Sequence, residues 1–289
     1  MRSWRSARLS LKETNLNPPN PYHEGWMRRR VDDPRPLAWA GIAILAAAGW
    51  AFLATMATVQ GAGAGSSYAL QLIASLCTVS TGAWNSADLA LAIVMWAAMA
   101  FAMMLPAGAP LLATYLDIAG AAKAKQMEVV SPSVLIAGYM SVWLAFAVAA
   151  SLVQGALSAA GALSSEMHLV HPVVGALVLI GAGAWQFTPT KHQCLSKCRR
   201  PFTWFMANWR DDEWGVFKLG LAQGMICLAC CWALMTVMFV AGLMNLFWMA
   251  GLAAVMVLEK TVPNPKPVVY GTGIVLILFG AGLLIVPLA

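Results

Sequence analysis

Three cysteines fall within the stretch CLACCW, Cys227 to Trp232, inside a long apolar run. On a helix, Cys227 and Cys231 are spaced i, i+4, and Cys227 and Cys230 are spaced i, i+3. One helix face therefore presents all three sulfurs. Such a cluster has three readings. Cysteine is a small apolar packing residue, a partner in thiol redox chemistry, or a ligand for a soft metal. Thiolates surrounded by hydrocarbon are costly unless a positive charge compensates them, and a monovalent soft cation meets that need. The expected ion is copper(I), with zinc as the alternative.

Two further groups carry soft donors. Met95, Met99 and Met103 recur at i, i+4 and i+8, with Met104 beside them and Pro106 just beyond. Thioethers suit copper(I), yet a methionine stripe also fills apolar interiors, and both readings stay open. The stretch TPTKHQCLSKCRRP places His192, Cys194 and Cys198 among Lys191, Lys197, Arg199 and Arg200. The basic neighbours favour thiolate. The CxxxC spacing lacks the second ligand pair of a structural zinc site, so a two- or three-ligand transfer site is expected. On the opposite side, SSEMHLVHP brings His168 and His171 into i, i+3 register near Glu166 and Met167. It reads either as a ligand pair or as an ordinary interfacial loop.

Gln223 and Asn245 are amides inside apolar runs and are expected to hydrogen-bond across helices. Glu259 and Lys260 read as an ion pair at a helix end. Gly220 and Gly224 form a GxxxG pair one turn before Cys227. No phosphate-binding glycine loop, Ser-His-Asp arrangement or paired intramembrane carboxylates stand in the sequence, so catalysis has little support. Cys77 stands alone, and no structural disulfide is expected.

The elements that must position these groups are membrane helices. Of 289 residues, 60% are hydrophobic and 10% charged, where a soluble domain carries about 25% charged residues. The fold expected is all-α, a polytopic transmembrane bundle. About seven apolar segments approach the roughly 20 residues that a crossing needs: 36–57, 88–112, 133–157, 170–188, 216–239, 244–258 and 268–288. With the N-terminus inside and the C-terminus outside, all 18 lysines and arginines fall on inner segments or within one turn of them, as the positive-inside rule requires. The net charge of +6 is then a topology signal, and no nucleic-acid partner is implied; the lipid bilayer is. Residues 1–35 read as a basic, flexible cytoplasmic tail, and 36–289 as the transmembrane domain. Residues 68–79 are apolar but short, and are expected to form an outer-surface or re-entrant helix.

The stretches MWAAMAFAMMLP, QFTPTKHQCLSKCRRP, WRDDEWGVFKLG, CLACCWALM and FVAGLMNLFWMAGLAAVMVLEKTVP, in this order over about 88–260, resemble a bacterial family of metal-binding integral membrane proteins catalogued as domain of unknown function 2182. The resemblance implies a multi-pass protein of the bacterial inner membrane that binds metal. Its pattern points to Met95, Met99, Met103, Met104, Cys194, Cys198, Cys227, Cys230 and Cys231. The chain departs from that pattern at Gln223, where an imidazole or phenol ring is common, and at Ala229, where glycine is usual. The function expected is a soft-metal binding protein that transports copper(I) or delivers it to a metallochaperone or metalloenzyme partner. In that expectation Cys227, Cys230 and Cys231 form a midplane site with Met99 and Met103. Cys194, Cys198 and His192 form a separate inner station, and His168 and His171 mark the outer mouth. The alternatives are a membrane thiol-disulfide oxidoreductase and a structural subunit of a membrane complex.

Overall fold

The computed structural model describes residues 35–61, 84–164, 169–243 and 245–285. The basic tail, the short segment at 68–79 with Cys77, and Glu166, Met167 and His168 lie outside the described residues. Among the described residues eleven helices form: α1 (Arg35–Gly61), α2 (Ser86–Ala107), α3 (Ala109–Ala124), α4 (Pro132–Ala159), α5 (Pro172–Trp185), α6 (Pro189–Arg199), α7 (Pro201–Asn208), α8 (Glu213–Thr236), α9 (Met238–Ala241), α10 (Leu246–Thr261) and α11 (Lys266–Ile285). No strand occurs among the described residues; one isolated bridge joins Leu163 and Leu169. The chain is all-α, as its composition requires.

Five of these helices are long and apolar enough to cross a membrane: α1, α2, α4, α8 and α11. The fourth expected segment is divided. It forms α5, of 14 residues, and then turns by 63° into α6. Counted as one broken span, the pair makes a sixth crossing. The cause of the break is local. Pro189 has no N–H for the Trp185 carbonyl, and proline opposes helix in the residue before it. The Thr188 hydroxyl donates to that carbonyl instead, at 2.8 Å, and accepts from the Lys191 N–H to start α6. The sixth expected segment, α10, has 16 residues. At 1.5 Å per residue that is about 24 Å, short of the roughly 30 Å hydrocarbon core.

Several helices start and bend on named groups. Asn85 and Asp88 close a capping box at the start of α2: the Asn85 side chain accepts from Asp88 N, and Asp88 accepts from Asn85 N. Inside α2, Pro106 supplies no N–H to the Ala102 carbonyl. The Trp50 indole of α1 donates there at 3.1 Å. Asn245, expected to bond across helices, instead caps α10 by accepting from Trp248 N, at an exposed position.

Close backbone contact sets the core. The central pair is α4 against α8. A methyl group at Gly220 would overlap the Leu135 carbonyl, one at Gly138 would overlap the Phe217 carbonyl, and one at Gly224 would lie 2.9 Å from the Tyr139 carbonyl. The GxxxG pair is thus a true helix–helix contact, and it brings α4 alongside the cysteine helix. A second glycine-mediated pair joins α5 to α11. A methyl at Gly183 would lie 2.8 Å from the Gly273 carbonyl, and one at Gly280 would lie 2.9 Å from the Ala176 carbonyl.

Candidate metal centre

Helix α8 buries Cys227, Cys230 and Cys231 almost completely, at 2%, 0% and 0% exposure. The Cys230 thiol donates to the Cys227 carbonyl at 3.1 Å, and its sulfur lies 3.3 Å from that of Cys231. Of the neighbouring thioethers, Met235 is buried and Met225 is exposed.

Cys198 arrives from α6. Its sulfur lies 4.0 Å from that of Cys230, and the sulfurs of Cys198, Cys227 and Cys230 all lie within 4.8 Å of one another. The expected inner station and midplane site therefore merge at Cys198. The 63° turn and the packing of α6 along α8 bring them together. Cys194, one turn earlier, remains half-buried and stands outside this group. His192 faces away as well. Its ring packs edge-on against Tyr270 at 5.4 Å, and its buried Nε2 has no hydrogen-bond partner. His171 is exposed at the start of α5 and makes no side-chain cap bond.

Two residues of the cluster are not marked as its members by sequence spacing. The Tyr139 phenol of α4 donates to the Met104 carbonyl at 3.1 Å and lies 3.1 Å from the Cys227 sulfur. Its ring also rests on Gly108, where α2 passes into α3. Gln223 lines the same cavity as this phenol, which another helix supplies. The second residue is Lys260, which donates to the Cys227 sulfur at 3.0 Å while only 4% exposed. The expected Glu259–Lys260 pair is not formed in that way. Glu259 accepts from Lys191 of α6 at 2.8 and 3.0 Å, with both side chains fully buried. Adjacent helix positions point in different directions, so one residue meets α6 and the next meets α8. Lysine after the apolar run of α10 was the available signal. Without the third dimension, it looks like a helix-end charge.

The path through the bundle is therefore not free of charge at Cys227. The α6 turn and the shortness of α10 bring residues from the ends of apolar runs to its level.

A cavity of about 10 Å³ opens beside the cluster, lined by Cys198, Cys227, Tyr139, Gln223 and Lys260, with Ala107, Gly108 and Leu111 of α2 and α3. That is room for about one water-sized guest. Gln223 is 2% exposed, and its Nε2 has no hydrogen-bond partner, so the expected interhelical bond from that nitrogen does not form. The four methionines of α2 are buried at 1%, 0%, 0% and 0%. Their segment reaches the cluster through the Met104 backbone carbonyl, by way of Tyr139.

The donor set fits a soft cation. Sulfur–metal bonds of about 2.3 Å place the sulfurs of a trigonal site about 4 Å apart, and those of a linear one about 4.6 Å apart. The Cys198–Cys230 separation of 4.0 Å matches the trigonal value, and none of the three separations exceeds 4.8 Å. Among the described residues, no carboxylate or imidazole joins the group. Its pure thiol character disfavours hard ions such as magnesium or calcium.

No curated protein and no solved structure matches the chain. A family model described as PpoB2, copper chaperone, matches residues 93–283. The match takes in the methionine face, all five described cysteines, Tyr139 and Lys260. It agrees with the metal-related family that the motifs imply. It covers well over half of the sequence, and the chain belongs to the PpoB2 copper chaperone family.

Proposed function

We propose that the protein is a multi-pass protein of the bacterial inner membrane that holds copper(I) between Cys198, Cys227 and Cys230 and passes it to a metallochaperone or metalloenzyme partner. The observation that carries this reading is the meeting of thiols from α6 and α8 at one small cavity. Copper is cargo here. Cys227 and Cys230 hold it on the rigid α8 face, and Cys198 closes the set from the broken span. Cys231, whose sulfur touches that of Cys230, supplies an adjacent donor for exchange. Cys194 and His192 on α6, and His171 at the other end of α5, mark the routes toward and away from the cluster, with His168 assigned to the outer mouth from the sequence alone. The methionines of α2 line the interior beside it.

The positive-inside pattern sets the orientation, with the N-terminus in the cytoplasm and seven crossings when α10 is counted as one. Ligand exchange between thiolates of similar affinity allows handover without trapping the ion. The test is metal analysis of purified protein loaded with copper(I). Cys198→Ser with Cys227→Ser is expected to abolish stoichiometric binding, and unchanged stoichiometry would sink the reading. Retained binding in Cys231→Ser alone is expected, because Cys231 lies outside the three-thiol group.

A further inference from the structure

We propose that Lys260 sets the charge of the cluster: its ammonium makes the site favour a monovalent soft cation over a divalent one. The inference rests on the metal-binding reading above and names the residue that tunes it.

Lys260 reaches the Cys227 sulfur at 3.0 Å from a helix 33 residues away in sequence, and it lines the same cavity as Cys198 and Gln223. Its neighbour Glu259 does not neutralise it. Both Glu259 oxygens are engaged by Lys191 at 2.8 and 3.0 Å, and that pair closes on itself with both side chains fully buried. The other groups lining the cavity are neutral or sulfur: the Tyr139 phenol, the Gln223 amide, Cys198 and Cys227. The charge of the cluster is therefore set by its thiolates, by Lys260 and by whatever ion binds.

In an apolar interior, each uncompensated charge is costly. For any fixed number of thiolates, an adjacent ammonium lowers by one the positive charge that the bound ion must bring. Copper(I) brings one positive charge and zinc(II) brings two. The geometry thus assigns to Lys260 a share in selectivity that thiols alone do not have, since thiolates accept both ions.

The experiment uses full-length protein in detergent or nanodiscs. Copper(I) and zinc(II) affinities are measured by competition with chromogenic chelators for the wild type, Lys260→Met and Lys260→Arg. Lys260→Met is expected to lower the ratio of copper(I) to zinc(II) affinity by at least about tenfold. Lys260→Arg, which keeps the charge, is expected to hold the ratio within about threefold of the wild type. A purely structural role would weaken both metals together and leave the ratio where it was; that result overturns the proposal. An equal shift in Lys260→Arg also overturns it. If Lys260→Met does not fold, Lys260→Gln, neutral but polar, carries the same expectation. Wild-type protein that binds no copper(I) overturns the functional reading and this inference with it. Wild-type binding with an unchanged ratio in the neutral variants overturns the inference alone.

Discussion

The methionine face of α2 and the cysteine face of α8 are buried to the same degree, but they keep different company. In mid-helix on α2, the Trp96 indole donates to the Gln154 amide at 2.8 Å. Around the cysteines, three other helices contribute a phenol, an ammonium and a fourth thiol. Polar groups are costly in an apolar interior unless they find partners. Their convergence on one face therefore marks the cysteines as the better candidate site, a distinction that burial does not make. Sulfur count alone would have ranked the two faces together.

Substitutions on the two faces sharpen that contrast. The largest difference is expected in binding. Cys198→Ser with Cys227→Ser should remove copper(I) from the purified protein. Met99→Leu with Met103→Leu should leave its stoichiometry intact, because the side chains swap volume for volume. Loss of metal in the methionine double variant would show that α2 contributes ligands and would erase the distinction.

The next effect concerns the frame that holds Cys198. Lys191→Met strands the buried Glu259 carboxylate, and removing one partner of a buried ion pair costs about 3–5 kcal/mol. Thermal unfolding in detergent should show a large loss of stability. A loss under about 1 kcal/mol would mean that water reaches the pair. Gly220→Ala tests the α4–α8 contact. Its methyl would meet the Leu135 carbonyl, and overpacking of this kind costs about 1–3 kcal/mol. The same variant should weaken metal binding, because Tyr139 must shift with α4. The smallest effect should come from Met99→Leu taken alone, a near-isosteric change worth less than about 1.5 kcal/mol.

Much of this architecture was legible in the residues. Apolar runs foretell the long helices, and Pro106, Asn85 and Asp88 act where their chemistry directs. Cys227, Cys230 and Cys231 share a face because the 3.6-residue period puts them there. What could not be read was which distant segments meet. Cys198 looked like a member of a loop station because the turn at Pro189 redirects α6, and an angle between helices leaves no spacing signal. Tyr139 was invisible because its importance comes from Gly138, Gly220 and Gly224 pressing two backbones together. Adjacency in sequence suggests a Glu259–Lys260 pair, whereas neighbours on a helix diverge by about 100°. Asn245 caps α10 because an amide at an apolar boundary suits a cap as well as a cross-helix bond.

The shortness of α5 has a consequence for how the protein is made. Its 14 residues extend only about 21 Å and then give way to a polar continuation, so the segment is a weak signal for partition into lipid. The surface it lies against, α11, is synthesised last of the described helices, and their glycines let the two backbones touch. Stable insertion of the broken span should therefore lag behind translation until α11 emerges. A chain ending at Pro265 is expected to leave the broken span open to protease within α5 and to thiol labelling at Cys194 of α6, while the full chain protects it. Docking of the broken span would then be a finishing step that waits for the complete protein.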